Sequence, residues 1–404
     1  MSIVKKPVPG DPNDDYHIYD SSHQKYCVIC KRKNPISLLF YTISLDRDLL
    51  IHEFSFNSPS PRHLITGFIW HPNNPCIFFT HTNRITITCH RIIHAEKRVE
   101  NIGTTDIEDV IFLFTPNSTG TKMVIVLDDE ETAMLFILDE NEDGTISFVC
   151  VHFTIFDECE IRCIDFLDDD IIIYGYTDGT IHIEQNREYR RNTDIVQTNG
   201  EIVAVCFSPN GHFLAVAATN GFSIYIFDKE RFVFHLLAKF VDKNYFCSKV
   251  TLEWHDSLPL LVCAFVKRFA GINGTSKIMS FCVTNFGVEQ LHFQKIKYAS
   301  ICGIFIHPIL PFAIFSYYGV TKGQVLVWNF QNSVRFPLER LLLMRNFLYQ
   351  QNLPEDDMID KILQEVFGMH LSWQRFKHNC RIPVKLPQQL LQLPQPPSKD
   401  FLQD

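Results

Sequence analysis

The stretch EIVAVCFSPNGHFLAVAATNGFSIYIFD, residues 201–228, contains three apolar runs separated by two turn signals. The first run ends at Phe207, before Ser208-Pro209-Asn210-Gly211, and the second ends before Asn220-Gly221. Apolar residues that alternate with a period of two suit a pleated strand, and Pro-Asn-Gly and Asn-Gly reverse the chain direction. The stretch therefore predicts three successive antiparallel β-strands.

The same order of strand and turn recurs along the chain, which indicates an internal repeat. The first strands of the units are predicted to begin near residues 26, 64, 109, 161, 202, 249 and 300, so the spacing is 38 to 53 residues. Between units, the weaker segments FVFHLLAKF and LHFQKIK predict a fourth, outer strand. Seven four-stranded sheets arranged radially explain this spacing, whereas a two-sheet sandwich gives no reason for a seven-fold repeat.

The pattern resembles the WD-repeat family of seven-bladed β-propellers over about residues 20–332. The resemblance rests on the Ser208–Gly211 turn, the Thr-Asp-Gly-Thr turn at 177–180 and the strand end VLVWN at 325–329. It implies an all-β propeller of a degenerate WD-repeat type over residues 21–335. Residues 1–20 would form an N-terminal arm, in which DDYHIYD (residues 14–20) is expected to close the ring onto the last blade.

Composition and charge favour a cytosolic globular protein. The chain has 404 residues, 46% of them hydrophobic, and a net charge of −9, which gives no general attraction to nucleic acid or anionic membranes. No apolar stretch has the length of a signal peptide or a membrane span. Because no export signal is predicted, we expect the 13 cysteines to be reduced, buried thiols. We expect a cytoplasmic protein, with the nucleus as a second location.

Motifs that carry chemistry are not found in the sequence. It contains no Gly-rich phosphate loop, H-E-x-x-H or G-x-S-x-G, so we expect no catalytic residue, cofactor or metal. Cys27 and Cys30 are three apart on a predicted strand and point to opposite faces, which does not suit a shared metal. The acidic clusters at 128–131 and 168–170, and the pairs His71-Pro72 and His307-Pro308, fall in predicted turns.

A propeller without catalytic residues presents variable loops on a rigid body. The segment VKRFAGINGTSK, residues 266–277, is the longest turn predicted within a blade. Its residues Lys267, Arg268 and Phe269 are the first candidates for contact with a protein substrate. The alternative is a hairpin loop without a binding role.

After residue 335 the strand pattern ends, and residues 336–370 predict a helical linker. PLERLLLMRNFLYQQ (337–351) has apolar residues at helical spacing, and PEDDMIDKILQEVFG (354–368) has an acidic start and a glycine stop. These helices either lie under the propeller or bind a partner, and the sequence leaves both open.

The last segment, residues 371–404, contains regularly placed apolar residues. Phe376, Cys380 and Val384 are four apart, which on a helix gives one stripe that can enter a groove on another protein. A Leu-Pro-x-Pro-Pro sequence begins at Leu393 and is followed by Phe401 and Leu402. The alternative is a Pro-rich tail with apolar residues at chance spacing.

This order of parts resembles the SOCS box, a C-terminal module that binds an adaptor protein. The resemblance implies that Phe376, Cys380 and Val384 bind elongin C, within elongin B/C. It also implies that the closing segment contacts a cullin, with the candidate residues Leu393, Pro394, Pro396, Phe401 and Leu402. The expected function is the substrate-recognition subunit of a ubiquitin ligase, whose propeller binds an unknown target protein. The alternative is a non-catalytic scaffold in a multiprotein assembly.

Overall fold

The structure, a computed structural model, describes most of the repeat region and not the C-terminal quarter. The described residues are 3–7, 16–19, 26–31, 37–43, 50–57, 65–74, 76–155, 160–167, 169, 171–185, 188–190, 200–231, 233–241, 249–255, 259–267, 275–285, 287–297, 299–306, 312–319 and 323–329. The predicted helical linker (336–370) and the adaptor-binding segment (371–404) lie outside these residues and stay predictions.

The described residues form seven four-stranded antiparallel sheets, named here sheets 1 to 7 in chain order. The first strand of the chain, β1 (Ile3–Pro7), belongs to the last sheet. Sheets 1 to 3 consist of β2 (Tyr16–Tyr19), β3 (Tyr26–Lys31), β4 (Ser37–Ile43) and β5 (Leu50–Asn57); β6 (Ile65–Trp70), β7 (Ile77–Thr82), β8 (Thr86–Ile93) and β9 (Arg98–Asp106); and β10 (Ile111–Pro116), β11 (Lys122–Leu127), β12 (Thr132–Glu140) and β13 (Ile146–Ile155).

The remaining four sheets repeat this order. Sheets 4 and 5 consist of β14 (Ile161–Leu167), β15 (Ile171–Tyr176), β16 (Ile181–Gln185) and β17 (Glu188–Arg190); and β18 (Ile202–Phe207), β19 (Phe213–Ala218), β20 (Gly221–Asp228) and β21 (Val233–Val241). Sheets 6 and 7 consist of β22 (Lys249–Trp254), β23 (Leu260–Lys267), β24 (Thr275–Thr284) and β25 (Gly287–Lys297); and β26 (Ala299–Ile306), β27 (Phe312–Gly319) and β28 (Gly323–Asn329), with β1 as the outer strand.

The sheets follow one another around a ring. The first strands of sheets 3 to 7 contact each other in order, β10 with β14, β14 with β18, β18 with β22 and β22 with β26. Strand β2 contacts both β6 and β26, so sheet 1 lies beside sheet 2 and sheet 7. Each sheet thus has its first strand on the inside and its fourth strand outside, which is the architecture of a β-propeller.

The strand that closes the ring is β1, not the DDYHIYD segment. Strand β1 pairs antiparallel with β28, with Ile3 opposite Trp328 and Pro7 opposite Gln324. The prediction for residues 14–20 was wrong, because Tyr16–Tyr19 pairs with β3 as the first strand of sheet 1. The predicted start of this sheet near residue 26 marks its second strand. The other six predicted starts lie within two residues of β6, β10, β14, β18, β22 and β26.

Bulges recur at equivalent places in the sheets. Near the start of the first strand, the register shifts in sheets 2, 3, 4, 5 and 7, as between Ile202 and Ala204. A second register shift occurs in the pairing of the third strand with the fourth in sheets 1, 2, 3, 5 and 6, as between Ser280 and Phe281. A bulge bends the strand and increases its twist, which suits sheets that must curve around an axis.

Neighbouring sheets bury their facing side chains against one another. In sheet 5, Leu214 and Val216 belong to the core shared with sheet 4. The residues that alternate with them, Phe213, Ala215 and Ala217, belong to the core shared with sheet 6. Strand β19 therefore serves two cores, which explains why FLAVAA is apolar at every position rather than at alternate ones.

A polar contact joins sheets 3 and 4 at the turns between their first and second strands. Asn117, which is 0% exposed, donates from Nδ2 to Asp169 Oδ1 at 2.7 Å, and Thr119 donates to the same oxygen at 2.6 Å. Lys122 Nζ donates to the Asp169 carbonyl at 2.8 Å. At the opposite end of these sheets, Arg162 and Glu130 form an ion pair at 2.7 Å. Both ends of the sheet 3–sheet 4 interface are thus fixed by directed bonds.

Among the described residues, no helix is long and apolar enough to pass through a membrane.

The pairing of β1 with β28 predicts opposite responses to proline at two neighbouring positions. Alternate N–H groups of an outer strand face its partner, so one of Val4→Pro and Lys5→Pro removes a ladder bond while the other replaces an outward N–H. We expect the substitution that removes the ladder bond to lower the free energy of unfolding by about 1–3 kcal/mol. The substitution at the outward N–H should change it little. Urea denaturation of both variants measures this. Equal midpoints would contradict the pairing.

Asp169 is predicted to stabilise the fold more than an aspartate that bonds only its own turn. We expect Asp169→Ala to lower the free energy of unfolding by about 1–3 kcal/mol, because it leaves the buried Asn117 amide with fewer acceptors. Asp143, which is exposed and bonds only Thr145, provides the matched control. Asp143→Ala should cost much less, and equal losses in chemical denaturation would contradict a role for Asp169 in joining the sheets.

Candidate functional site

Of the residues predicted from sequence to bind partners, the structure describes one. Lys267 is the last residue of β23 and pairs with Thr275 across the β23–β24 hairpin. The other two residues of that group, Arg268 and Phe269, lie outside the described residues. So do the adaptor-binding candidates and the cullin-contact candidates: Phe376, Cys380, Val384, Leu393, Pro394, Pro396, Phe401 and Leu402.

A groove between sheets 5 and 6 lies beside the end of β23 that carries Lys267. Its cavity volume is about 560 Å³, within the range of pockets that accept a ligand or several side chains. Phe265, two residues before Lys267, is part of the groove wall. The other apolar lining residues are Phe222, Phe240, Val241, Met279 and Phe293. The polar and backbone lining residues are Asn220, Gly221, Lys239, Lys277 and Gln290.

The floor of the groove depends on a glycine. A Cβ atom at Gly221 would lie 2.7 Å from the backbone oxygen of Phe240, so a larger residue would push β21 away from β20. With glycine there, the rings of Phe240 and Phe222 stack with centroids 5.7 Å apart. Phe281 contacts both rings from below, at 4.9 Å from Phe240 and 5.4 Å from Phe222. The Asn220-Gly221 turn thereby positions an aromatic surface that sheets 5 and 6 share.

Two apolar side chains at the mouth of the groove are exposed to solvent, although large apolar side chains are usually buried. Val241 is 57% exposed and Phe293 is 49% exposed. They are part of a larger set, because four of the six exposed large hydrophobic residues in the described part of the chain lie on β21 and β25: Val233, Leu236, Val241 and Phe293. Of these four, Val241 and Phe293 line the groove itself, and exposed apolar side chains with a polar rim are typical of a protein-binding site.

The rim of the groove is cationic, in contrast to the chain as a whole. Lys239 and Lys277 line it from sheets 5 and 6 respectively, and no acidic residue is among the described residues that line it. Lys295 lies directly opposite Lys277 in the β24–β25 register. The two lysines therefore concentrate positive charge at this end of sheet 6. The net charge of the whole chain is −9.

The titratable groups outside the groove whose pKa departs most from its ordinary value are buried and act in the fold. Burial raises the pKa of Asp165 to about 7, while its carboxylate accepts bonds from the N–H groups of Phe166 and Phe207 and so joins sheets 4 and 5. Burial lowers the pKa of His90 to about 4, and His90 stacks on Phe78 and bonds Thr80. Glu184 accepts a bond from the Tyr174 hydroxyl at 2.9 Å in the sheet 3–sheet 4 interface.

The buried cysteines are poor nucleophiles. Burial raises the pKa of the Cys89 thiol to about 12, and it raises the pKa of the thiols of Cys163 and Cys263 as well. Because the thiolate is the reactive form, these residues serve as small core side chains. In the part of the chain that the structure describes, no group of three or more His, Cys, Asp or Glu residues is placed to hold a metal ion.

The predicted turn roles of the polar motifs can be examined where they are described. His71 lies in the turn after β6, and its Nδ1 accepts bonds from the backbone N–H groups of Asn73 and Asn74. Asp129 likewise holds the β11–β12 turn by accepting bonds from Glu131 and Thr132. The turn position is thus confirmed for His71 and for the cluster at 128–131, whereas His307-Pro308 and most of the cluster at 168–170 lie outside the described residues.

The groove itself was not predicted from the sequence. The segments that supply its exposed residues, FVFHLLAKF and LHFQKIK, were assigned correctly as fourth strands. The available signal was an apolar side chain such as Phe293 on a strand expected to face solvent.

Comparisons with known proteins bear on the fold. No family model matches the sequence, and no curated protein matches it. Among solved structures, the chain is similar to the Cps50 (Swd1) β-propeller domain of Myceliophteria thermophila, with a TM-score of 0.56 and 10% sequence identity. The similarity covers 81% of this chain and 99% of that domain. At this identity the likeness shows the fold alone, and the prediction of an all-β propeller is confirmed.

The groove residues are predicted to differ sharply in what they contribute to stability. Phe293 is half exposed, so Phe293→Ala should lower the free energy of unfolding by less than about 1 kcal/mol. Phe265 lines the same groove but is 4% exposed, so Phe265→Ala should cost about 3–5 kcal/mol. Chemical denaturation of the two variants measures the difference. A large loss on truncating Phe293 would mean that this residue serves the fold rather than a partner.

Proposed function

We propose that this protein is a non-catalytic β-propeller that binds other proteins through the groove between sheets 5 and 6. The observation that carries the proposal is the combination of an aromatic floor, exposed Val241 and Phe293, and a lysine rim at one place on an otherwise acidic chain. In this proposal the seven sheets are the complete set of blades, and they hold the groove as a rigid surface.

We further propose that the chain is the substrate-recognition subunit of an elongin B/C–cullin ubiquitin ligase in the cytoplasm or nucleus. The support is the sequence of residues 371–404, in which Phe376, Cys380 and Val384 have the spacing of an adaptor-binding helix. The propeller would hold the target protein, and the C-terminal segment would hold the ligase. The binding of both at once raises the effective concentration of the ligase at the target.

A scaffold within a multiprotein assembly is the second candidate, and residues 337–368 favour it. PEDDMIDKILQEVFG combines an acidic start with an apolar face, which suits a helix that lies in a groove of another protein. The two candidates differ in the segment they need. Deletion of 373–404 should abolish function in the ligase candidate and leave partner binding intact in the scaffold candidate.

The adaptor prediction can be tested by recovery of purified elongin B/C on the immobilised full-length protein. We expect the double variant Phe376→Ala, Cys380→Ala to reduce recovery at least about tenfold, because two anchors of a small helical interface are removed. Pro383 should end a helix at or before Ile382, so Val384→Ala should have a smaller effect.

The matched control for this experiment is Leu390→Ala, Leu391→Ala, which removes the same kind of apolar surface from the same segment outside the motif. Recovery should be unchanged in this control. Equal recovery of elongin C from the wild type and from the Phe376, Cys380 variant would refute the adaptor assignment and favour the scaffold candidate.

A further inference from the structure

We infer that the groove between sheets 5 and 6 binds an acidic peptide segment that carries a large apolar anchor residue. The inference rests on the proposed protein-binding function and names the partner chemistry. A target with this segment would place its anchor on the aromatic floor and its carboxylates at the lysine rim.

The shape and lining of the groove define the anchor. The rings of Phe222 and Phe265 are only 2% and 4% exposed, so a bound side chain would contact mainly the exposed groove residues Val241 and Phe293. Met279 adds a flexible thioether wall that can adjust to anchors of different shape. The volume of about 560 Å³ exceeds that of one side chain, so the groove accepts the anchor together with neighbouring peptide residues. Phenylalanine, leucine and tryptophan anchors fit this description.

The charges define the flanking residues. Lys239 stands on the sheet 5 side of the groove and Lys277 on the sheet 6 side, so carboxylates before and after the anchor can each meet one ammonium group. Lys295 lies opposite Lys277 in the β24–β25 register, so a carboxylate at this end of sheet 6 meets the positive charge of two lysines. An acidic segment therefore gains from both lysine positions, whereas a neutral apolar segment gains from neither.

Other occupants fit less well. A second copy of this chain carries a net charge of −9 and is repelled over its whole surface, whereas a short peptide in about 0.15 M salt responds to the charges within about 8 Å of it. A single-stranded nucleic acid binds by stacking successive bases on several exposed rings, and among the described rings that line the groove only Phe293 is largely exposed. The chain also contains an acidic segment with an aromatic residue of its own, Asp400-Phe401-Leu402, which is a specific competitor to test.

The probe for the experiment is a fluorescein-labelled peptide GSEDFEDLSG, measured by fluorescence anisotropy against the full-length protein. We expect saturable binding that weakens with added salt, because the lysine contacts are screened. The peptides GSQNFQNLSG and GSEDSEDSSG, which lack the charges and the anchors respectively, should each bind at least about tenfold more weakly. A uridine decamer with the same label tests the nucleic-acid alternative.

Protein variants locate the binding. Lys239→Glu, Lys277→Glu should reduce affinity for the acidic peptide at least about tenfold, and Phe293→Ala should reduce it with little loss of stability. The charge-matched control is Lys97→Glu, Lys229→Glu, in turns away from the groove, and it should bind as the wild type does. Equal affinity of the groove variant and the control variant would overturn the inference, as would tighter binding of the uridine decamer.

Three further outcomes are informative. If only the variant Phe401→Ala, Leu402→Ala binds the peptide, the chain's own C-terminal segment occupies the groove, and the inference of a partner segment is wrong. If the peptide fails to bind while proteins that co-purify with the full-length chain cross-link elsewhere on the propeller, the peptide inference fails and the protein-binding function stands. If no protein cross-links to any part of the propeller, the proposed protein-binding function is refuted as well.

Discussion

Each sheet of this propeller needs both of its neighbours, because it is apolar on both faces. Strand β19 shows the constraint most directly: Leu214 and Val216 serve the core on one side, and Phe213 and Ala215 serve the core on the other. A sheet that lacked one neighbour would leave one apolar face in water, at a cost of roughly 25 cal/mol for each Å² of apolar surface. The ring satisfies this need only when it closes, so the whole fold depends on sheet 1 meeting sheet 7 and on β1 completing sheet 7.

The closed ring explains how a sequence with little recognisable chemistry can carry a specific surface. Interior side chains are committed to the cores, and the buried titratable groups hold neighbouring sheets together, as Asp165 does for sheets 4 and 5. Freedom to vary is left to the turns and to the outer face of the fourth strands. The groove uses that freedom: exposed Phe293 and Val241 lie on fourth strands, while the residues beneath them belong to the core between sheets 5 and 6.

The repeat could be predicted from the sequence because each unit carries its own local signals. In the Ser208–Gly211 turn, Gly211 has a φ of 69° and the Ser208 hydroxyl accepts a bond from the Phe213 N–H, both of which the residue types favour. The ring-closing strand was missed because its partner lies at the other end of the repeat region. Its sequence, IVKKP, has the lysines and proline typical of an outer strand, but that composition also suits a loop.

The groove could not be predicted because bulges decide which residues face it. Register shifts between Ile224 and Tyr225, and between Ser280 and Phe281, change the side-chain parity along β21 and β25 relative to their neighbours. Alternation read from the sequence assumes unbroken parity and assigns these residues to the wrong face after a shift. The groove also depends on the contact between β21 and β25, which belong to different sheets. Local periodicity in the sequence does not show which strands of different sheets meet.

The pairing of Ile3 with Trp328 affects how the protein folds during its synthesis. A ribosome that adds about 5–20 residues per second needs roughly 15–65 s between making the first strand and making its partner. During that interval β1 has no ladder to join, and an unpaired strand is open to pairing with other chains. Completion of sheet 7 is therefore a late step in the synthesis of this protein, and anything that keeps β1 from pairing elsewhere in that interval favours correct assembly.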